Sequence, residues 1–308
     1  MSVPIFEARN IRKTYGNYTA LNDVSIKVEK GSVFGLLGPN GAGKTSLIRI
    51  INQITAPDEG HVFFNGETLK PEHVSRIGYM PEERGLYKKM QVGEQCMYLA
   101  QLKGLDSATA RKKLRNWFEK FEIQGWWNKK VEELSKGMAQ KVQFIVTVLH
   151  EPELLIFDEP FTGFDPVNAN LIRDEILELS RNGSTIIFST HRMETVEELC
   201  DSIALINKSQ KILDGKVADI RKQFRTQTYR MEFIGNMLSF TNALWTGAEL
   251  LERKQVDNHC SVTLRLTGNN TVNNLFAAVM PSCEIVSFNE VIPSMSEIFI
   301  RTVQPNNQ

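Results

Sequence analysis

The sequence predicts an α/β protein whose main sheet is mostly parallel, followed by a small α+β domain. Over about the first two-thirds of the chain, short apolar runs alternate with helical patterns, as expected when helices cover a parallel sheet. After residue 226 the pattern restarts with amphipathic strands and short helices. We therefore predict two domains, residues 1–226 and residues 227–308.

The length and composition of the chain are those of a folded protein, and its net charge is close to zero. The chain has 308 residues, of which 42% are hydrophobic, enough for one large core and one smaller core. Basic and acidic residues both number 36, so no nucleic-acid partner is expected. The four cysteines form no C-x-x-C pair, which argues against a zinc ribbon. No stretch approaches the roughly 18 apolar residues of a membrane helix, so a membrane role requires a partner.

The first domain divides into strands and a helical insertion. Short apolar runs predict strands at Ser25–Val28, Val33–Leu37, Leu154–Phe157, Thr185–Phe188 and Ile203–Ile206. Within about residues 91–149 the strand pattern disappears and apolar residues recur at helical spacing. We interpret this segment as a helical insertion.

A glycine-rich segment follows the predicted strand Val33–Leu37 and opens a helix that continues through Ile51. It fits the pattern G-x-x-x-x-G-K-[ST], and with the serine that follows it comprises Gly38, Pro39, Asn40, Gly41, Ala42, Gly43, Lys44, Thr45 and Ser46. Glycines let successive N–H groups turn inward around phosphates. Lys44 supplies positive charge to the β- and γ-phosphates, and the Thr45 hydroxyl can ligate Mg²⁺. The segment predicts ATP or GTP binding.

Two carboxylates follow the predicted strand Leu154–Phe157. Asp158 is placed to hold the Mg²⁺ shell, and Glu159 is placed to polarise the attacking water. Two acids at a strand end are by themselves more often a solvated face. With a phosphate loop earlier in the chain, the catalytic interpretation is favoured.

The second domain is predicted to contain two successive sets of strands and helices. An alternating run at Tyr229–Ile234 is followed by a helix at Met237–Trp245 and a strand near Leu250–Val256. The second set is a strand at Ser261–Leu266, helices at Val272–Met280 and Met295–Val303, and between them a strand at Ile285–Phe288. The order β-α-β-β-α-β predicts a ferredoxin-like domain.

The segment Leu134–Met138 precedes a predicted helix and lies about twenty residues ahead of Asp158, and here the chain resembles the ABC ATPases. The family usually has Leu-Ser-Gly-Gly-Gln at this place, so Ser135 and Gly137 match, while Lys136 and Met138 depart. A serine before a helix is also an ordinary N-cap. The hydroxyl, the backbone donors and the helix dipole could together hold a γ-phosphate, and the order of the motifs favours that role.

Four further positions resemble ABC ATPase motifs in the order of the family. Tyr15 resembles the aromatic residue that stacks on adenine, although Tyr15-Gly16-Asn17 would serve equally well as an ordinary turn. Asp165 lies in a segment like the D-loop, and His191 resembles the switch histidine. Glu82 stands where the family commonly has glutamine, which places an acid near the metal and makes it a candidate Mg²⁺ ligand. The resemblance covers about residues 5–225.

The resemblance implies an ATP-hydrolysing subunit of an ABC transporter, a phosphate-loop NTPase cassette with a helical insertion, that uses ATP and Mg²⁺. The implied catalytic residues are Lys44, Glu159 and His191, and the implied metal ligands are Thr45, Asp158 and Glu82. Two copies would bind ATP head to tail, with Ser135 of one copy facing the phosphate loop of the other. A separate membrane permease would dock on the helical insertion, which places the chain in the cytoplasm, peripheral on the inner face of the membrane. Residues 293–300 resemble the C-terminal domain of a bacterial export-type subgroup that includes suspected sodium exporters.

Three alternatives differ in class. A soluble ABC ATPase of translation or DNA repair would carry tandem cassettes or a long coiled-coil insertion, and this chain has one phosphate loop and no sustained heptads. A GTPase would have Asn-Lys-x-Asp, but residues 207–210 end in Gln210. A module that does not hydrolyse nucleotide is disfavoured because Lys44, Asp158, Glu159 and His191 are all present.

Overall fold

The computed structural model describes residues 3–83, 85–244 and 247–303. The chain forms two compact units, of which the first ends at Val217 and the second begins at Ala218. The predicted boundary at 226/227 therefore lies inside the second unit.

Strands and helices of the first unit follow one another through most of its length. The strands are β1 Phe6–Tyr15, β2 Tyr18–Val28, β3 Val33–Leu37, β4 Glu59–Phe64, β5 Glu67–Thr68, β6 Ile77–Met80, β7 Leu154–Asp158, β8 Thr185–Thr190, β9 Ser202–Asn207 and β10 Gln210–Lys216. The helices are α1 Lys44–Ile51, α2 Val92–Leu102, α3 Ser107–Lys120, α4 Lys136–Val148, α5 Pro166–Arg181, α6 Met193–Leu199 and, starting at the last residue of the unit, α7 Val217–Gln223.

A six-stranded sheet in the order β10-β9-β3-β8-β7-β6 carries the predicted strands that follow Val28 in the first domain. Strands β9, β3, β8, β7 and β6 are parallel, and β10 is antiparallel to β9. Every residue of β3 and of β7 is buried, as expected for strands covered on both faces. The prediction of a mostly parallel sheet is confirmed for this part of the fold.

A second sheet, in the order β2-β1-β4-β5, is antiparallel and was not predicted. The strand predicted at Ser25–Val28 belongs to it and begins earlier, at Tyr18. Helix α1 buries Leu47, Ile48 and Ile51 in a core shared by residues of both sheets. The phosphate loop is anchored by this core, because α1 begins where the loop ends.

The second unit is a four-stranded antiparallel sheet with helices packed on it. Its elements are β11 Thr228–Gly235, α8 Met237–Ala243, β12 Ala248–Val256, β13 His259–Leu266, α9 Val272–Val279, β14 Cys283–Glu290 and α10 Met295–Val303. The order of these elements along the chain confirms the predicted β-α-β-β-α-β arrangement, and the strands lie in the sheet in the order β12-β13-β11-β14. Helix α8 ends two residues before the predicted end at Trp245, which lies outside the described residues.

Candidate active site

The phosphate loop joins β3 to α1 through glycines with positive φ. Gly38 has φ 148° and Gly43 has φ 117°. A Cβ on Gly38 would overlap the Ile206 carbonyl oxygen, and one on Gly43 would overlap the Ala20 carbonyl oxygen. Gly41, at φ 78°, has no atom within 4 Å of its Cβ position. The loop is thus packed tightly against the fold at both ends and is open at its middle, where a phosphate can approach.

Lys44 lies at the start of α1 and points back into the loop. Its Nζ donates to the carbonyl oxygens of Gly38 at 2.7 Å and Pro39 at 3.2 Å, and the residue is only 7% exposed. Burial lowers the pKa of this ammonium group, while the nearby carboxylates of Glu159 and Asp158 oppose the shift. A buried cation held this way favours an anionic ligand, since phosphate oxygens compensate its lost hydration.

Most of the predicted site residues line one cavity of about 280 Å³ at the end of the parallel strands. It brings together Tyr18, Asn40, Gly41, Gly43, Lys44, Thr45, Ser46, Glu82, Asp158 and Glu159. Of the other predicted loop residues, Gly38 and Pro39 contact Lys44, and Ala42 is buried with its N–H bonded to the Pro39 carbonyl. Residues from β7, the phosphate loop and the segment after β6 therefore converge, as they must for phosphate and metal to be held together.

The donors around Asp158 fit a magnesium ion that is also bound by phosphate. Asp158 is 3% exposed at the end of β7, and burial raises its pKa to about 6, with the charges of Glu82 and Glu159 adding to the rise. No group of three or more His, Cys, Asp or Glu side chains among the described residues forms a complete metal cage. Mg²⁺ prefers one or two carboxylates with waters and substrate phosphates, so the oxygens of Thr45, Asp158 and Glu82 fit the ion together with a triphosphate.

Glu159 is fixed by the strand beside it. Its backbone has φ 48°, and its N–H donates to the Ser189 carbonyl at 2.9 Å. One carboxylate oxygen accepts from the His191 N–H at 2.9 Å and lies 2.6 Å from His191 Nδ1, while the other accepts from the Thr190 hydroxyl at 3.3 Å. The predicted base and the predicted switch histidine are thus in direct contact. A positive φ is uncommon for a residue other than glycine, and the bond to Ser189 helps to hold Glu159 in this conformation.

Tyr15 and Tyr18 face each other across the β1–β2 hairpin, whose turn contains Gly16 at φ 56°. Tyr18 was not predicted, although its hydroxyl donates to the Gly41 carbonyl at 2.5 Å and it lines the cavity. Tyr15 lies beside it, 43% exposed, outside the cavity lining. The missed signal was a second tyrosine directly after the Tyr15-Gly16-Asn17 turn, on a strand that the sequence did not reveal.

Ser135, Gly137 and Asp165 line a separate depression on the same unit. The Ser135 hydroxyl caps α4 by accepting from the Met138 N–H at 3.3 Å, so the ordinary capping role is present. Asp165 caps α5 in the same way, with Pro166 at the first helical position. A Cβ on Gly137 would meet its nearest atoms at 3.6 and 3.7 Å, ordinary contacts. The fold itself therefore tolerates alanine at position 137.

Two glutamines on α4 connect these regions. The Gln140 side chain donates to the Pro160 carbonyl at 3.2 Å, directly after Glu159. The Gln143 side chain donates to the Pro81 carbonyl at 3.1 Å, directly before Glu82. The helix that begins at the Ser135 cap thus holds both acidic segments of the cavity.

The fold and this cavity define a phosphate-loop nucleotide hydrolase of the α/β class. Residues 21–162 match the family described as ABC transporter. The uncharacterized ABC transporter ATP-binding protein YhaQ of Bacillus subtilis (strain 168) is 39% identical over 294 residues, 96% of this chain and 97% of YhaQ. The chain belongs to the ATP-binding proteins of ABC transporters. It is the ATP-binding and ATP-hydrolysing subunit of such a transporter.

Further relatives agree with this assignment. The ABC transporter ATP-binding protein NatA of Bacillus subtilis (strain 168) is 36% identical over 223 residues, 71% of this chain and 91% of NatA. A solved structure of the ATP-binding subunit of an ABC transporter has a TM-score of 0.67 and 32% identity, covering 71% of this chain and 93% of the other. Residues 215–303 match the family described as ATP-binding protein DrrA1-3-like, C-terminal domain. Among the described residues, no helix has the length and hydropathy to span a membrane.

Proposed function

We propose that two copies of this chain bind ATP head to tail and so drive a separate membrane permease. The separation of the two predicted groups supports this proposal. The phosphate loop, Asp158 and Glu159 line one cavity, whereas Ser135 and Gly137 line another. If both groups contact one ATP, the second group must come from another copy.

Five residues of the cavity have roles that their positions support. Lys44 binds the β- and γ-phosphates, and Thr45, Asp158 and Glu82 hold Mg²⁺, which when bound neutralises developing charge on the phosphates. Glu159 accepts the proton of the water that attacks the γ-phosphorus. His191 and Thr190 orient the Glu159 carboxylate, through the contacts of 2.6–3.3 Å described above.

Tyr15 completes the nucleotide site in this proposal. Its ring lies at the end of the hairpin whose other tyrosine, Tyr18, contacts the loop at Gly41. Because the base of ATP extends beyond its phosphates, we assign Tyr15 to stacking on adenine. Asp165 belongs to the other face, where it orders the start of α5 beside Ser135.

The Glu159→Gln variant tests the shared site. Without its base the protein should bind ATP and keep it, so size exclusion should show a monomer alone and a dimer with Mg-ATP. Gly137→Ala in the same background should fold normally and weaken the dimer, since its Cβ meets only ordinary contacts within the chain. Lys44→Ala should lose nucleotide. A Glu159→Gln protein that stays monomeric with saturating Mg-ATP contradicts the proposal.

An apolar groove on the same unit is the proposed permease site. The groove has a volume of about 340 Å³, and α2 contributes Leu99 and Leu102 to it, while α4 contributes Val146. Leu102 is 63% exposed, and Ile54, which also lines the groove, is 54% exposed. Contiguous exposed apolar side chains of this kind mark binding surfaces, and a groove between helices fits an amphipathic helix. We therefore assign it to a cytoplasmic helix of the permease, which places the subunit on the inner face of the membrane.

Leu102→Glu tests this assignment because it puts a charge on the groove rim without touching the nucleotide cavity. When the chain is produced with its permease, the variant should be released from washed membranes while ATP binding is kept. Leu238→Glu is the matched control, as Leu238 is 69% exposed on α8 of the second unit. Equal retention of both variants on membranes contradicts the assignment.

A further inference from the structure

The depression that contains Ser135 has features which the capping role does not use. It has a volume of about 440 Å³ and lies between the start of α4 and the segment before α5. Besides Ser135 and Gly137, its lining includes Trp126, Lys136 and Lys141. An aromatic ring and two ammonium groups therefore face one concave surface.

The positive charge of this depression is not compensated within the chain. Across the described residues, neither Lys136 nor Lys141 forms an ion pair or a side-chain hydrogen bond, whereas Lys120 on α3 pairs with both Glu175 and Glu178. The one carboxylate in the lining belongs to Asp165. It already accepts hydrogen bonds from the Val167 and Asn168 N–H groups and from the Asn168 side chain. The depression thus offers two free cations to an anion from outside.

The position of Lys136 is set by a glycine of the neighbouring segment. Gly163 has φ 93°, and a Cβ built on it would lie 2.6 Å from Lys136 Cδ. The Lys136 alkyl chain therefore lies against the bare backbone of Gly163. This contact restricts the rotamers of the Lys136 side chain and so reduces the conformational entropy lost on binding.

From these features we propose that Lys136 and Lys141 bind the triphosphate of the ATP held by the phosphate loop of a second copy, while Trp126 forms the apolar wall against its adenosine. This inference rests on the proposed head-to-tail dimer, and it names the side chains that determine how tightly the two copies associate. Lys136 stands where the ABC pattern usually has an uncharged residue, so association of this chain depends on ionic strength. The ring of Trp126 stabilises the dimer through apolar contact with the adenosine, and this stabilisation is independent of salt.

The test measures the dimer dissociation constant by sedimentation velocity in the Glu159→Gln background with saturating Mg-ATP. Lys136→Met and Lys141→Met keep the length of the side chain and remove its charge. Lys112→Met, at an exposed position on α3, is the control for the loss of one charge. We expect each of the first two variants to weaken the dimer about tenfold in 0.1 M salt, as for a charge-assisted contact to phosphate. The control should match the parent protein.

Two further measurements separate the contribution of charge from that of apolar contact: the dimer dissociation constants at high salt, and the ATP affinity of the monomer. In 0.5 M salt the deficits of Lys136→Met and Lys141→Met should shrink to threefold or less, while the deficit of Trp126→Ala should stay constant. ATP affinity of the monomer should be the same in all variants, which also verifies that they fold.

Equal dimer constants for the lysine variants and Lys112→Met overturn the inference while leaving the shared site intact. A Glu159→Gln parent that never dimerises overturns both.

Discussion

His150 links the apolar groove between α2 and α4 to the stability of the first unit at acid pH. Its side chain lines the groove together with Val146 and Leu102, and both of its ring nitrogens are buried. Burial lowers the pKa of this imidazole to about 4, and the charge of Lys103 adds to the shift. Protonation of His150 is therefore unfavourable in the folded protein.

The sign and size of the effect follow from the two pKa values. In the unfolded chain the imidazole has a pKa of 6.5, and in the folded chain about 4. Above pH 6.5 it is neutral in both states, so it does not change stability there. As pH falls from 6.5 to 4, the unfolded chain binds a proton that the folded chain does not, so the free energy of unfolding decreases. At about 1.4 kcal/mol for each unit of pKa difference, the full loss is about 3 kcal/mol.

The measurement is urea unfolding of the wild type and His150→Gln at pH 7.5, 6.5, 5.5 and 4.5, followed by far-UV circular dichroism. Glutamine does not titrate, and the other ionisable groups are common to both proteins, so they cancel in the difference. The wild type should lose most of the 3 kcal/mol relative to the variant between pH 6.5 and 4.5. His61→Gln, at an exposed position, controls for the loss of one histidine. Parallel curves for the wild type and His150→Gln would refute the reasoning.

Three further changes have defined outcomes. Glu159→Gln should lower the ATPase kcat by about 100- to 10,000-fold without raising the KM for ATP, because the phosphates are bound elsewhere; a variant within tenfold of wild-type kcat contradicts the assigned base. Gly43→Ala should lower the free energy of unfolding in urea by about 3 kcal/mol, and Gly41→Ala by about 1 kcal/mol. Both positions have positive φ, but only a Cβ at position 43 overlaps a carbonyl oxygen. Equal losses for the two variants would contradict the packing described. Removal of residues 218–308 should leave ATP binding by the first unit within threefold, measured by calorimetry, because that unit is compact by itself; lost binding would show that the second unit supports the site.

The parts of the site that could be predicted are those that a short, continuous segment of sequence identifies. The phosphate loop has a fixed spacing, and Asp158 and Glu159 follow a run of four apolar residues, so both positions could be read directly. Parallel strands buried on both faces, such as β3, have a continuous apolar pattern. These residues meet because the carboxyl ends of parallel strands lie along one edge of the sheet.

The parts that could not be predicted depend on irregular strands and distant contacts. Strand β1 has the sequence FEARNIRKTY, in which Arg9 and Arg12 are exposed, and its pairing with β2 shifts register three times, so no alternation is visible. Tyr18 was missed for that reason. The bond between Gln143 and Pro81 joins residues 62 positions apart, and nothing in either segment identifies its partner. His191 was identified only by its resemblance to the switch histidine, so its contact with Glu159 was not predicted.

The two glutamines of α4 limit how far that helix can shift without disturbing the chemistry. Their bonds to Pro160 and Pro81 are 3.2 and 3.1 Å long, so a displacement of about 0.4 Å away from these carbonyls stretches both to the limit of a useful hydrogen bond. A displacement of α4 would therefore also move the backbone beside Glu159 and beside Glu82. The two side chains that make this connection lie within one turn of α4.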